Sequence, residues 1–216
     1  MTATITTSLR YHSAAEWVHA LGDVPLERIV FYPLPGTATE SDVLEMERQN
    51  RLCELIDGTL VEKGMGYYES QVAIVIASLL LEFVRPRKLG VVTGEGGMMR
   101  LRMGNVRIPD VAFVSAARGK EAREERRLIP SISPDLAVEV LSEGNTKREI
   151  ERKIAEYLET GCSLVWIVDP KKRTVAIHRV PMQAPEILGP EDTITGERVL
   201  PGFAAKVSDF FPVDEA

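Results

Sequence analysis

DLAVEVLSEGNTKREIERKIAEYLETGCSLVWIVD, residues 135–169, decides the fold. Asp135–Leu141 and Ser163–Asp169 are short runs rich in Val, Ile and Leu, and both read as strands. The stretch between them reads as a helix. Thr146 and Glu149 have capping-box spacing at its start, and Gly161 stops it. Two strands joined through one helix form a parallel pair by a right-handed crossover.

Downstream, RTVAIHRV (173–180) returns after Pro170-Lys171-Lys172 as the second strand of a hairpin. The tail GFAAKVSDFF (202–211) reads as a short strand or loop and a helical turn. Upstream, CELIDGTLVEK (53–63) is two strands about Asp57-Gly58, which suits a type I′ turn because both central residues need positive φ. Tyr68–Val84 is a helix apolar on nearly every side, which predicts burial, and Arg85-Pro86 is its expected end. Strands follow at Gly90–Thr93 and Met98–Met103. Gly104-Asn105 turns the chain into VRIPDVAFV (106–114), whose internal proline predicts an edge strand or a bulge. Residues 116–134 are a charged, exposed connection with some helix. The class is α/β: a mixed β-sheet flanked by helices.

Residues 1–48 read as an N-terminal helical and loop extension, and 49–216 as the main domain. The extension holds a short helix at Ala14–Leu21, the loop FYPLPGTATE (31–40) and a second helix capped by Ser41. At 216 residues the chain has the length of one domain with a small addition. Hydrophobic residues at 44% and charged residues at 27% exclude a disordered or collagen-like chain. The net charge of −6 argues against binding nucleic acid by bulk charge, though a local basic groove stays open. Cys53 and Cys162 lack metal-ligand spacing and read as reduced core thiols; three scattered histidines leave little for a zinc site. The longest apolar run, Val72–Leu81, is shorter than the roughly 20 residues of a membrane span, and the N-terminus has no basic start before an apolar core. The expectation is a cytoplasmic protein with no membrane partner.

Three acids stand where apolar residues are expected. Asp110 interrupts VRIPDVAFV. Glu139 lies in the centre of its strand, sharing a face with Ala137 and Leu141. Glu69 lies in the first turn of the apolar helix, on the side of Val72, Ala73 and Ile76. Lys153 falls inside the stripe formed by Ile150, Ile154, Tyr157 and Leu158. The plain alternatives are a solvent-facing edge for Glu139 and a snorkelling Lys153. Together, converging carboxylates bind a hard cation such as Mg²⁺ or Mn²⁺, and a nearby lysine orients water or stabilises phosphate charge. That chemistry is metal-assisted phosphodiester hydrolysis.

At Pro109-Asp110, Glu139-Val140-Leu141-Ser142, Lys153 and Tyr157 the chain resembles a bacterial family of restriction endonuclease domains, within the PD-(D/E)XK-type nuclease superfamily. CELIDGTLVEK, VRIPDVAFVS, PDLAVEVLSE and KIAEYLETGCSLVWIVDP follow its pattern in order, and the likeness spans about residues 50–212. The resemblance implies a restriction-endonuclease-like core, with Asp110 and Glu139 as metal ligands and Lys153 as the catalytic lysine. In the general pattern the lysine stands two residues after the second acid, where this chain has Leu141; the family supplies it from the next helix. Lys147 is a second candidate. The family's helix-start histidine corresponds here to Glu69, the wider superfamily's choice, as a further metal-binding and catalytic acid.

The implied activity is a Mg-dependent endonuclease acting on nucleic acid, with DNA the expected substrate. The alternative is a catalytically degenerate nuclease fold that binds nucleic acid or protein. A lysine-nucleophile enzyme would leave the three acids unexplained. Basic clusters at Arg85–Lys88, at Arg100, Arg102 and Arg107, and at Lys120–Arg127 are candidates for phosphate contact. Cutting both strands of a duplex predicts a homodimer, with Trp17, Phe31 and Tyr32 offering apolar surface. Asp110→Asn and Glu139→Gln are both expected to leave the metal-free fold as stable or slightly more so, because carboxylate repulsion is relieved.

Overall fold

The structure, a computed structural model, describes residues 11–212 apart from Met65 and Met103. The first ten residues of the N-terminal reading and the Met103 end of its strand lie outside the described residues.

Helix α1 (Ala14–Ala20) is capped by Ser13, whose Oγ accepts the Glu16 N–H. Strand β1 spans Ile29–Val30 and helix α2 spans Glu40–Arg48. The cap of α2 is Thr39, not Ser41. Thr39 has an acid three residues on, and Asp42 accepts its backbone N–H at 2.7 Å; Ser41 has Leu44 there. Strands β2 (Cys53–Ile56) and β3 (Thr59–Glu62) form the expected hairpin, with φ of 49° at Asp57 and 74° at Gly58. Glycine is required at 58 twice over, since a Cβ there would stand 2.7 Å from the Gly36 backbone.

Helix α3 (Tyr67–Arg87) runs past Pro86 and ends at Lys88 in the left-handed region, φ 53°. So near the end the proline forfeits one N–H bond in the last turn and does not stop the helix. The expectation of burial on every side is also corrected. Val72, Ala73, Ile76, Ala77, Leu80 and Val84 are buried, whereas Ile74 and Leu81 are exposed. By length and composition alone α3 could cross a membrane; its buried face is part of the main core.

Next come β4 (Gly90–Thr93), β5 (Met99–Arg102), β6 (Asn105–Arg107), β7 (Val111–Ser115), α4 (Ala116–Glu124), β8 (Leu136–Val140), α5 (Lys147–Glu159) and β9 (Leu164–Asp169). The C-terminal part adds β10 (Thr174–His178), β11 (Glu186–Leu188), β12 (Thr193–Gly196), β13 (Leu200–Lys206) and a 3₁₀ turn at Val207–Phe210. One sheet has the order β1-β3-β2-β6-β5, a second β11-β10-β9-β8-β7-β4, and β12 pairs with β13. Strands β8 and β9 are parallel, with Val138 opposite Trp166; the other pairs are antiparallel.

VRIPDVAFV is therefore not one edge or bulged strand. Its first part is β6 in the five-stranded sheet, and its second is β7 in the interior of the six-stranded sheet. Pro109, which has no N–H for either ladder, occupies the passage between them.

Helix α3 covers one face of the six-stranded sheet, where Val72, Ile76 and Leu80 join Phe113, Val138 and Trp166 in the largest core cluster. Helix α5 covers the other face, with Ile150, Ile154 and Tyr157 against Ala137, Val165 and Ile167. Residues Leu21, Val24 and Ile29 pack on Ile56 and Val61 of the hairpin. Gly22 meets the start of α5 so closely that a Cβ would stand 2.8 Å from Glu149 Cα.

Candidate metal and catalytic site

The passage at Pro109 puts Asp110 beside the end of β8. Asp110 Oδ2 accepts the Val140 N–H at 2.6 Å, and Oδ1 lies 2.7 Å from Lys63 Nζ. One residue away, Glu139 points from β8 toward α5. Its Oε1 accepts the Tyr157 hydroxyl at 2.7 Å and its Oε2 lies 3.1 Å from Lys153 Nζ. Asp110, Glu139 and Lys153 are all buried, so neither a solvent-facing Glu139 nor a snorkelling Lys153 describes them.

A third buried acid completes the group. Glu54, on β2, lies 3.1 Å from Lys153 Nζ through Oε1, which also accepts the Ile108 N–H, and 2.8 Å from Arg107 through Oε2. Arg107 continues to Glu156 at 2.7 Å, and Arg152 joins Glu156 to Asp57, 2.8 Å from each. The network ties the hairpin sheet to α5 through charge.

Burial sets the electrostatics. It pushes the Glu139 carboxyl above its ordinary range, against the pull of Lys153, and Asp110 and Glu54 add to the push. Glu54 goes the other way: Lys153, Arg107 and Lys63 outweigh its burial and bring it to about 2. Lys153 stays protonated, because Glu139 and Glu54 overcome the cost of burying it. Burial, reinforced by Glu139, raises Tyr157 far above its ordinary range, so its hydroxyl is the donor to Glu139. Burial also pushes the Cys53 and Cys162 thiols up to about 11 and about 12, as befits inert core thiols.

Among the described residues Glu69 does not complete a three-acid group with Asp110 and Glu139. Helix α3 packs on the face of β8 that carries Val138 and Val140, and Asp110 lines a cleft with Ser70, the neighbour of Glu69. The Glu69 carboxylate instead folds back over Gly66, and its charge reaches Lys171. Lys147 is 90% exposed beside Glu151, far from the interior that holds Lys153. Arg107, read as a phosphate contact, is wholly buried in the ion network, and Arg100 pairs with Glu40. The Arg85–Lys88 and Lys120–Arg127 basic residues are exposed. Relief of carboxylate repulsion does not describe Asp110 either: Lys63 and the Val140 N–H sit on its carboxylate, so neutralising it removes attraction.

Asp110 lines a cleft of about 260 Å³ between α3 and the turn after β4, with Ser70, Gln71, Ile74 and Glu95 around it. Among the described residues no group of three or more Asp, Glu, His or Cys surrounds a single point. The donor set still fits Mg²⁺ or Mn²⁺. Asp110 and Glu139 are hard oxygen donors, and Mg²⁺ is ordinarily held by one or two carboxylates, with water and phosphate supplying the rest.

Glu54, Lys63 and Glu156 are absent from the sequence reading of the site, and Arg107 entered it only as a phosphate contact. Glu54 carried the signal that exposed Glu139: an acid between apolar neighbours in a strand.

Residues 40–208 match the family described as "Uma2: Putative restriction endonuclease". A solved structure, "a putative nuclease belonging to DUF820 from Anabaena variabilis", is similar with a TM-score of 0.66 and 23% identity, over 84% of this chain and 94% of that one. No curated protein matches. The structural likeness is one of fold, and it agrees with the restriction-endonuclease-like architecture.

Proposed function

The chain belongs to the Uma2 restriction endonuclease family, and from that premise we propose that it is a divalent-metal-dependent endonuclease hydrolysing phosphodiester bonds in DNA. The observation that carries this reading is the delivery of Lys153, from α5, to a buried position between Glu139 and Glu54. Asp110, held by the Val140 N–H, stands at the end of the same strand.

Asp110 and Glu139 would hold Mg²⁺ or Mn²⁺. Bound there, the cation supplies Lewis-acid charge for a phosphodiester oxygen and acidifies water. The protein's own groups do the rest. Val140 N–H and Tyr157 O–H fix the two carboxylates, and Lys153 orients the attacking water and balances the charge that grows on phosphorus oxygens. The exposed Arg85–Lys88 and Lys120–Arg127 groups are suited to backbone phosphates. A duplex cut by one small site per chain calls for a homodimer. Exposed Phe31 and Tyr32, 58% and 90% accessible, support the N-terminal loop as its contact, and sedimentation as a monomer at micromolar concentration would refute it.

The test is cleavage of supercoiled and linear DNA, with an RNA control, in Mn²⁺ or Mg²⁺. Wild type should nick or linearise DNA, and EDTA or Asp110→Asn should abolish it. Cleavage indifferent to both would overturn the metal site. One observation favours a second reading, a catalytically degenerate fold that binds nucleic acid or protein: Asp110, Glu139 and Glu54 are all buried and each already faces a cation. Binding of DNA without cleavage, and without Mn²⁺ binding, would select it.

A further inference from the structure

Lys63 follows β3 and turns its side chain into the interior. Its Nζ lies 2.7 Å from Asp110 Oδ1 and donates to the Ile108 carbonyl at 2.7 Å, with the side chain 5% exposed. Two ammonium groups thus stand among three carboxylates. Lys153 lies between Glu54 and Glu139, while Lys63 lies on Asp110 and extends its charge to Glu54 and Glu139.

The two lysines are held differently. Lys153 projects from the middle of α5, is fully enclosed, and has a carboxylate on either side. Lys63 lies just beyond the end of a strand, its residue is half-buried, and the next residue is an exposed glycine, Gly64. The carboxylate it holds lines the α3 cleft, the approach open to a solute. A lysine is a compact charge on a flexible four-carbon stem, able to leave one acceptor for another. A cation arriving at Asp110 therefore meets a like charge that can move.

We propose that Lys63 is a positioning residue that keeps the metal's place on Asp110, and that a divalent cation enters by displacing its ammonium. The proposal rests on the reading of Asp110 as a metal ligand. It gives the apoprotein a neutralised site and makes metal binding an exchange of cations. Lys63 weakens metal affinity while stabilising the metal-free fold. A purely structural counterion would do only the second.

The experiment is calorimetric titration of Mn²⁺, without DNA, into wild type, Lys63→Met, Lys63→Arg and Asp110→Asn. Lys63→Met should bind Mn²⁺ about tenfold tighter or more, since a competing charge is gone. Lys63→Arg should stay within about threefold of wild type, because it keeps the charge. Asp110→Asn should lose binding. The Mn²⁺-induced rise in Tm should be larger for Lys63→Met than for wild type, as mass action requires of a tighter ligand. If Lys63→Met fails to fold without metal, Lys63→Gln carries the same expectation, since its amide can still donate a hydrogen bond to Ile108. Unchanged or weaker affinity in the neutral variant, with Asp110→Asn still unable to bind, would overturn the role of Lys63 and leave the metal site standing. Absence of Mn²⁺ binding in all four proteins would overturn both.

Discussion

The two faces of β8 are both buried, but one is apolar throughout and the other sets an ion network into its apolar packing. Toward α3, Leu136, Val138 and Val140 meet Val72, Ile76 and Leu80. Toward α5, Glu139 meets Lys153 and Tyr157, with Glu54, Arg107 and Glu156 behind them. Losing an apolar contact leaves a hole that neighbours partly fill. Losing one ion partner leaves a buried charge that packing cannot relieve. Well-packed apolar residues often do as well as a buried ion network or better, so the α5 face is poor value as a source of stability alone. Its composition points to chemistry, and the α3 face shows how the same strand is built where none is required.

The contrast breaks most readily at Arg107. Arg107→Met removes one of the two cations that hold each of Glu54 and Glu156 and should cost about 3–5 kcal/mol by urea denaturation. A cost below that of an ordinary core truncation would mean the network is not tightly coupled. Lys153→Ala should slow single-turnover cleavage in saturating Mn²⁺ by about 10²–10³. Leu141 lies on the same side of β8 as Glu139 and packs with the α5 cluster. Adding Leu141→Lys should therefore restore part of the rate, and full activity in Lys153→Ala would remove the lysine's role.

On the apolar face, Leu80→Ala should cost about 3 kcal/mol, with a stability–pH curve parallel to wild type. The charged face should instead respond to acid. Glu54 titrates at about 2 when folded and at about 4.3 when unfolded. Its contribution is present above the unfolded value and is lost as pH falls toward 2. Glu149 and Glu156, also lowered, act in the same direction, whereas the raised Glu139 acts oppositely. Glu54→Gln should therefore flatten the acid limb, and an unchanged limb would place its origin elsewhere. The smallest difference lies between the two proposed ligands. Asp110→Asn removes the partner of Lys63 and should cost about 1–3 kcal/mol without metal. Glu139→Gln should be nearly neutral, since Glu54 still balances Lys153; equal losses in paired melting curves would refute the distinction.

The βαβ unit and the Asp57-Gly58 hairpin were legible because local chemistry decides them. Asp110, Glu139 and Lys153 were legible as charges inside apolar patterns. The sheet change at Pro109 was not, because alternation reads the same through a bulge as through a passage between sheets. Glu69 illustrates the other limit. Its stripe with Val72 and Ile76 marks the helix face that packs inward, but helical periodicity does not say where a first-turn carboxylate will turn, and here it folds back over Gly66. Arg107 was read as a phosphate contact because it follows Arg100 and Arg102 closely in the chain, and only the fold reveals Glu54 and Glu156 facing it.

The passage at Pro109 has a consequence for how such a protein could diverge. Lys63 comes from the end of a strand in one sheet, Glu139 from a strand in the other, and Asp110 from the chain crossing between them. Their spacing is inherited from the way two sheets abut, so lineages could retune it by substitutions far from any of the three. Selection in the laboratory for a different metal preference should accordingly return changes along the sheet junction as well as at the acids, and relatives with identical acids could differ in the ions they accept.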